Sequence, residues 1–252
     1  MIYHKKIAIL LTAFGFVLGA SNIASASNDC FEEGKDRDWC DKFNISFMDK
    51  GGNSDIQSLS LSNLMQYRLV KKVRLSWELK GTKGESDGEL SAENYATTIE
   101  ARYSPSASYY FVNLGWEKDE FRGIDRNLSV GPGVGFKIFD GHALKLSTEA
   151  ALHYDLEKGT DGSREEIAKG LLKMDYSYLF YDRYTLSEIL EYDRELDDGN
   201  KYGITSETKL SSKMSKTLSM NITYTLKYDS KPLSSEYKKL DRTLTVGVEK
   251  LF

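Results

Sequence analysis

The chain of 252 residues has few cysteines, few histidines and no surplus of positive charge. It also lacks an apolar run of the about 20 residues that a membrane-spanning helix needs. Each shortage excludes something. With two cysteines, Cys30 and Cys40, and three histidines, His4, His142 and His153, the ligands for a structural metal site are missing. No cofactor is expected either. A formal net charge of −4 offers no basic face for a phosphate backbone, so nucleic acid is not an expected partner. Helical periodicity is scarce, whereas 16 Tyr, 11 Phe and many Ser and Thr favour strands.

The longest apolar run, Ile7 to Ala20, follows Lys5 and Lys6 and precedes Ala24-Ser25-Ala26. A positive start, a short apolar core and a small-residue site form a secretory signal, so residues 1–26 are expected to be removed on export. Residues 27–42 are then a periplasmic N-terminal segment. Its Cys30 and Cys40, in CFEEGKDRDWC, are expected to pair as a disulfide in an oxidising compartment.

Residues 43–252 read as about twelve period-two segments, from 43–49 to 240–252. In one, Val73, Leu75, Trp77 and Leu79 alternate with Arg74, Ser76, Glu78 and Lys80. In another, Tyr110, Val112, Leu114 and Trp116 alternate with Tyr109, Phe111, Asn113 and Glu117. The connections alternate as well. Short ones, such as Val70-Lys71 and Phe139-Asp140-Gly141, take turns with long ones, such as KGTKGESDGELSAEN and YDSKPLSSEYKKLD. A soluble sandwich has no reason to sort its loops by parity. A membrane barrel does, with tight periplasmic turns on one side and longer extracellular loops on the other. The expected fold is therefore all-β: a transmembrane antiparallel up-and-down β-barrel of the outer membrane.

The end of the chain agrees. Phe252 closes a strand whose Leu244, Val246 and Val248 share its face, which resembles the signal by which such barrels are recognised for assembly. Lys250 departs from that pattern. Expected partners are outer-membrane lipid, lipopolysaccharide, periplasmic chaperones and the barrel-assembly machinery. No extended subunit-interface pattern is visible, so the expected state is a monomer.

WEKDEFRGIDRNLSVGPGVGFKIFDGHALKLSTEAALHYD and YDSKPLSSEYKKLDRTLTVGVEKLF resemble the salt-induced outer-membrane protein family, a β-barrel family of unknown function. The resemblance implies an outer-membrane location and, through the family's name, a link to osmotic or envelope stress. It implies no substrate.

The inward face is charged with both signs. Candidate lumen or selectivity residues are Arg68, Arg74, Glu78, Arg102, Lys145, Glu149, His153, Lys173 and Lys227. A slight basic surplus points to a narrow porin-like channel with a weak preference for anionic solutes. The alternative is a non-conducting barrel whose lumen is filled by ion pairs. A barrel hydrolase is the third class: His153 and Asp155 share the inward face, but no particular serine is singled out. Gly131-Pro132-Gly133-Val134-Gly135 is not a nucleotide loop, because its glycines alternate within a strand and no helix follows. Its small inward residues make room for large neighbours, and Pro132 suggests a bulge. The acidic pairs Glu165-Glu166 and Asp197-Asp198 fall in outer loops and read as solvated surface.

Overall fold

The computed structural model describes residues 38–50, 56–86, 89–119, 124–231 and 239–252. Twelve strands follow one another: β1 (Trp39–Lys50), β2 (Ile56–Val70), β3 (Val73–Ser86), β4 (Glu89–Tyr103), β5 (Ser108–Asp119), β6 (Ile124–Asp140), β7 (Leu144–Gly159), β8 (Arg164–Phe180), β9 (Tyr184–Glu195), β10 (Tyr202–Lys213), β11 (Leu218–Asp229) and β12 (Leu240–Leu251). Each pairs antiparallel with its sequence neighbours, and β12 pairs with β1 from Lys42↔Leu251 to Phe47↔Val246. The barrel is closed. Closure removes every sheet edge, so each strand has a partner on both sides.

The period of two decides which way each side chain points. Outward positions include Ile45, Trp77, Val112, Leu114, Val130, Leu152, Leu172 and Val246, all large, apolar and exposed. Inward positions include Ser76, Glu78, Glu100, Arg102, Asn113, Glu149, Lys173 and Glu191, all buried. This inverts a soluble protein, and it is stable only where hydrocarbon meets the outer face. The faces are those expected from sequence in every strand quoted above.

Three expectations need correction. First, β1 begins at Trp39, so residues 39–42 belong to the barrel and not to a preceding segment. Cys40 points inward and is 3% exposed. Residues 1–37 lie outside the described residues, and with them the signal and Cys30 of the expected disulfide. Second, much of the long loops is strand. β3 runs to Ser86 and β4 starts at Glu89, through the stretch expected as the loop KGTKGESDGELSAEN. Beyond the lipid both faces of a strand meet water, so hydropathy stops alternating while backbone pairing continues. Third, Pro132 causes no bulge. The β6–β7 register passes from Val130↔Tyr154 to Gly133↔Ala151 without a slip, and the shifts in β6 lie at Ile124/Arg126 and Lys137/Phe139. Because Pro132 faces outward and lacks only its own N–H, one donor is lost and the strand stays in phase.

The two ends of the barrel differ. The turn end carries the hairpins β2–β3, β4–β5, β6–β7, β8–β9 and β10–β11, together with the first residue of β1 and the last of β12. The loop end carries the other connections. Aromatic clusters mark both levels. Phe180 stacks on Tyr178 and Tyr184 at the turn end, with centroids 6.2 and 5.5 Å apart. Tyr202 packs between Tyr192 and Tyr228 at the loop end, at 6.0 Å from each. Such belts sit where hydrocarbon gives way to headgroups. The Lys250 ammonium lies 4.7 Å from the centroid of the Phe252 ring, so the departure from the assembly pattern sits directly on the terminal aromatic.

Candidate functional site

The fold encloses a polar lumen, and its two halves differ. Along β3 to β8 it is filled. Tyr109 and Phe111 on β5, Ala151 on β7 and Leu171 on β8 form a buried apolar cluster inside the barrel. The glycines of β6 make this packing possible. A Cβ on Gly135 would lie 2.1 Å from Tyr109 Cζ, and one on Gly133 would lie 2.3 Å from Phe111 Cζ. Tyr109 is paired with Gly135 and Phe111 with Gly133 across the β5–β6 ladder, so each ring lies over the bare backbone opposite it. Gly131 receives His153 from β7 in the same way, at 2.4 Å from Nε2.

An ion cluster sits on this apolar floor. Arg102 Nε donates to Glu100 Oε1 at 2.7 Å, and its Nη2 donates to Glu100 Oε2 and Glu149 Oε1, each at 3.0 Å. Tyr109 Oη donates to Glu149 Oε1 at 2.9 Å, and Lys173 Nζ approaches Glu149 Oε2 at 3.9 Å. The Arg102 guanidinium also covers the Tyr109 ring, 4.4 Å from its centroid. Arg102, Glu100, Glu149, Lys173 and Tyr109 are all buried. Buried charges persist only when paired and hydrogen-bonded, and here each carboxylate faces a cation.

The other half is less closely packed at many positions, although Asn221 and Thr243 there are buried. Along β10, β11 and β12 the inward residues Thr205, Glu207, Lys209, Thr223, Thr225, Lys227, Thr245 and Glu249 are half-buried. Short hydroxyl side chains leave space that Tyr109 and Phe111 fill on the opposite wall. Lys209 Nζ meets Glu249 Oε2 across this wall at 3.2 Å.

At the turn end three arginines stand side by side. Arg68 of β2 pairs with Arg74 of β3, and Arg74 pairs with Arg102 of β4. Of the three, Arg102 is balanced by Glu100 and Glu149. Lys145 points inward near the same end, opposite Asp140 and Ser177. Glu78 holds Lys80 at 3.0 Å, deeper in the lumen. The loop end carries carboxylates that are paired or hydrogen-bonded. Asp119 and Glu117 accept from Asn94 Nδ2 at 3.1 Å each, and Asp155 is held by Lys169 at 2.9 Å. The basic surplus expected from sequence is absent: Lys72 lies in a turn and Lys201 in a loop, whereas Asp119 and Asp193 join the inward set.

All nine lumen candidates point inward, and Arg102, Glu149 and Lys173 meet in one cluster. His153 and Asp155 are not brought together as a hydrolase would need. Asp155 is engaged by Lys169, and His153 Nε2 is buried against Gly131 with no hydrogen-bond partner among the described residues. Sequence reading missed Tyr109 and Phe111 as lumen-filling residues, although the alternating glycines opposite them were the available signal.

With the geometry in view, comparison with known proteins places the chain. A family model described as a protein of unknown function, DUF481, matches residues 43–250. The chain belongs to this family. No curated protein matches the sequence. Among solved structures the barrel is similar to the NanC porin, with 7% identity, a TM-score of 0.54, and coverage of 84% of this chain and 98% of that one. It is also similar to a KdgM porin solved in complex with disordered oligogalacturonate, with 18% identity, a TM-score of 0.51, and coverage of 84% and 99%. These likenesses establish a porin-like barrel fold.

The loop end is tied together outside the lumen. Lys231 Nζ donates to Asp198 Oδ2 at 2.6 Å, joining the β9–β10 loop to the residue after Ser230. Asp198 also accepts from the backbone N–H of Asn200 at 3.1 Å. The Lys231 hydrogen bond, aided by that of Asn200, holds the Asp198 carboxyl below its ordinary pKa. A lowered folded-state pKa means that the tie is present above the ordinary carboxylate range and is lost as pH falls through the lowered value. An NMR titration of the Asp198 carboxyl in micelles should therefore give a midpoint below that of an exposed aspartate. Lys231→Ala should move the midpoint back up, and an unmoved midpoint would remove Lys231 from the account.

Proposed function

We propose that the protein is a narrow porin-like channel of the outer membrane that passes small polar solutes along the hydroxyl-lined wall of β10–β12. The observation that carries this reading is the division of the lumen. One half is sealed by the Tyr109–Phe111–Arg102 packing, and the other is half-buried and lined by Thr205, Thr223, Thr225 and Thr245. A twelve-stranded barrel lies between filled small barrels and wide porins, so a partly filled lumen leaves a narrow path. Arg68 and Arg74 favour anions at the turn end, which in this placement faces the periplasm. Carboxylates at the loop end oppose that preference, so net selectivity is modest. Carboxylated sugars are the first solutes to test, given the oligogalacturonate in the KdgM complex. Export through residues 1–26, folding by the barrel-assembly machinery, and a role in osmotic or envelope stress belong to the same proposal.

The test is single-channel conductance of the refolded protein in a planar bilayer, with ion selectivity read from reversal potentials. Small, reproducible steps are expected, and Lys209→Ala or Lys227→Ala should shift the reversal potential towards cation selectivity. Arg74→Ala should do the same from the opposite mouth. A second reading, a non-conducting barrel, is favoured by the fully buried Tyr109. Folded, heat-modifiable protein that gives no steps would decide for it.

A further inference from the structure

The outward face of β9 carries a carboxylate at a depth where most outward residues are apolar. Glu188 shares its face with Leu186 and Leu190, both exposed. It lies four residues from Tyr184 of the turn-end aromatic cluster and four from Tyr192 of the loop-end cluster. Four residues span about 13 Å of strand, or roughly 10 Å of depth at the usual tilt. Since the apolar band of such barrels is about 25 Å tall, Glu188 sits near its middle. Elsewhere the outward band holds residues such as Ile45, Val112, Val130, Leu152 and Val246.

The surroundings of Glu188 are polar too. Ser206 Oγ donates to its Oε1 at 2.7 Å and Thr208 Oγ1 to its Oε2 at 2.5 Å, both from β10. Ser206 and Thr208 face outward between Ile204 and Leu210. The same row extends to Tyr176 of β8, which pairs with Glu188, and to Tyr224 of β11, which pairs with Thr208. Four consecutive strands thus bring a carboxyl, two hydroxyls and two phenols to one level of the lipid face. Lipid tails offer these groups nothing, and ionisable groups at such depth mark contacts with protein or water.

We propose that this patch is a self-association surface, where a second copy of the chain docks against β8–β11. The chemistry favours a like surface. Ser206 and Thr208 already spend their protons on Glu188, so the centre of the patch still accepts hydrogen bonds, while the phenols of Tyr176 and Tyr224 donate on either side. A two-fold axis between β8 and β9 places the Tyr176 phenol of each copy against Glu188 of the other. The proposal rests on the membrane placement of the barrel and not on conduction, and it replaces the monomer expected from sequence.

Subunit counting by single-molecule photobleaching tests it, with protein purified from membranes and reconstituted at low density in phosphatidylethanolamine–phosphatidylglycerol vesicles. The wild type should bleach in at least two steps. Glu188→Leu should bleach in one step while keeping heat-modifiable, folded migration, and Glu188→Gln, which still accepts and donates, should keep most of the association. Should Glu188→Leu fail to fold, Tyr176→Phe with Tyr224→Phe removes the phenol donors that the proposed contact uses and should also give monomers. A wild type that bleaches in one step would overturn the proposal, because lipid alone would then cover the patch. Equal association of wild type and a folded Glu188→Leu would overturn it as well. Neither outcome depends on whether the lumen conducts.

Discussion

Gly135→Val is expected to lower the stability of the barrel by about 1–3 kcal/mol, the usual cost of forcing atoms into a packed interior. The cause is the Tyr109 ring, whose Cζ lies 2.1 Å from where a Cβ would stand. A flexible side chain would step aside. Tyr109 cannot, because it is wholly buried, donates to Glu149 at 2.9 Å, and lies under the Arg102 guanidinium. Urea unfolding of the reconstituted protein, followed by tryptophan fluorescence, measures the loss. The control is the pair Gly135→Val and Tyr109→Ala. Tyr109→Ala alone leaves a cavity and should cost about 3–5 kcal/mol. The double variant should cost less than the two changes summed, because the new side chain enters the space the ring has left. Strict additivity would show that Gly135 does not seat Tyr109.

Arg102→Met is expected to cost about 3–5 kcal/mol, since it strands two carboxylates, Glu100 and Glu149, in a buried site. Lys173, 3.9 Å from Glu149, is too distant to replace the three bonds lost, two at Glu100 and one at Glu149. Adding Glu100→Gln and Glu149→Gln removes the uncompensated charge and should recover a large part of the loss. The same urea series tests this. Failure of the triple variant to exceed Arg102→Met would mean that packing over Tyr109 and Phe111, and not charge, carries the stability.

Both variants also report on the proposed channel. Their side chains form the sealed half of the lumen, so a folded Tyr109→Ala barrel should conduct better than the wild type if the filled half limits the path. This gives the packing of β5 on β6 a functional meaning beyond stability.

Much of this was legible in the sequence. Alternation in Val73–Lys80 and Tyr109–Glu117 assigned the faces correctly, because successive side chains of a barrel strand point alternately to lipid and lumen. Loop parity gave the strand order as well. The alternating glycines of β6 announced large neighbours, but not which ones, since that depends on the β5–β6 register pairing Tyr109 with Gly135. Glu188 was visible between Leu186 and Leu190, yet its depth emerges only when the aromatic clusters of β8–β11 fix the two lipid boundaries. The loop stretches were misread where strands leave the lipid and hydropathy ceases to track hydrogen bonding.

By itself, then, the sequence determined the number of strands, their direction, and the face on which each side chain lies, because period and polarity are local properties. Only the tertiary structure decided the partners across strands: the arginine row of Arg68, Arg74 and Arg102, the glycine seats of Tyr109 and Phe111, and the polar patch around Glu188. Those depend on the stagger with which the strands close into a ring, which brings together residues far apart in sequence and which no local pattern encodes.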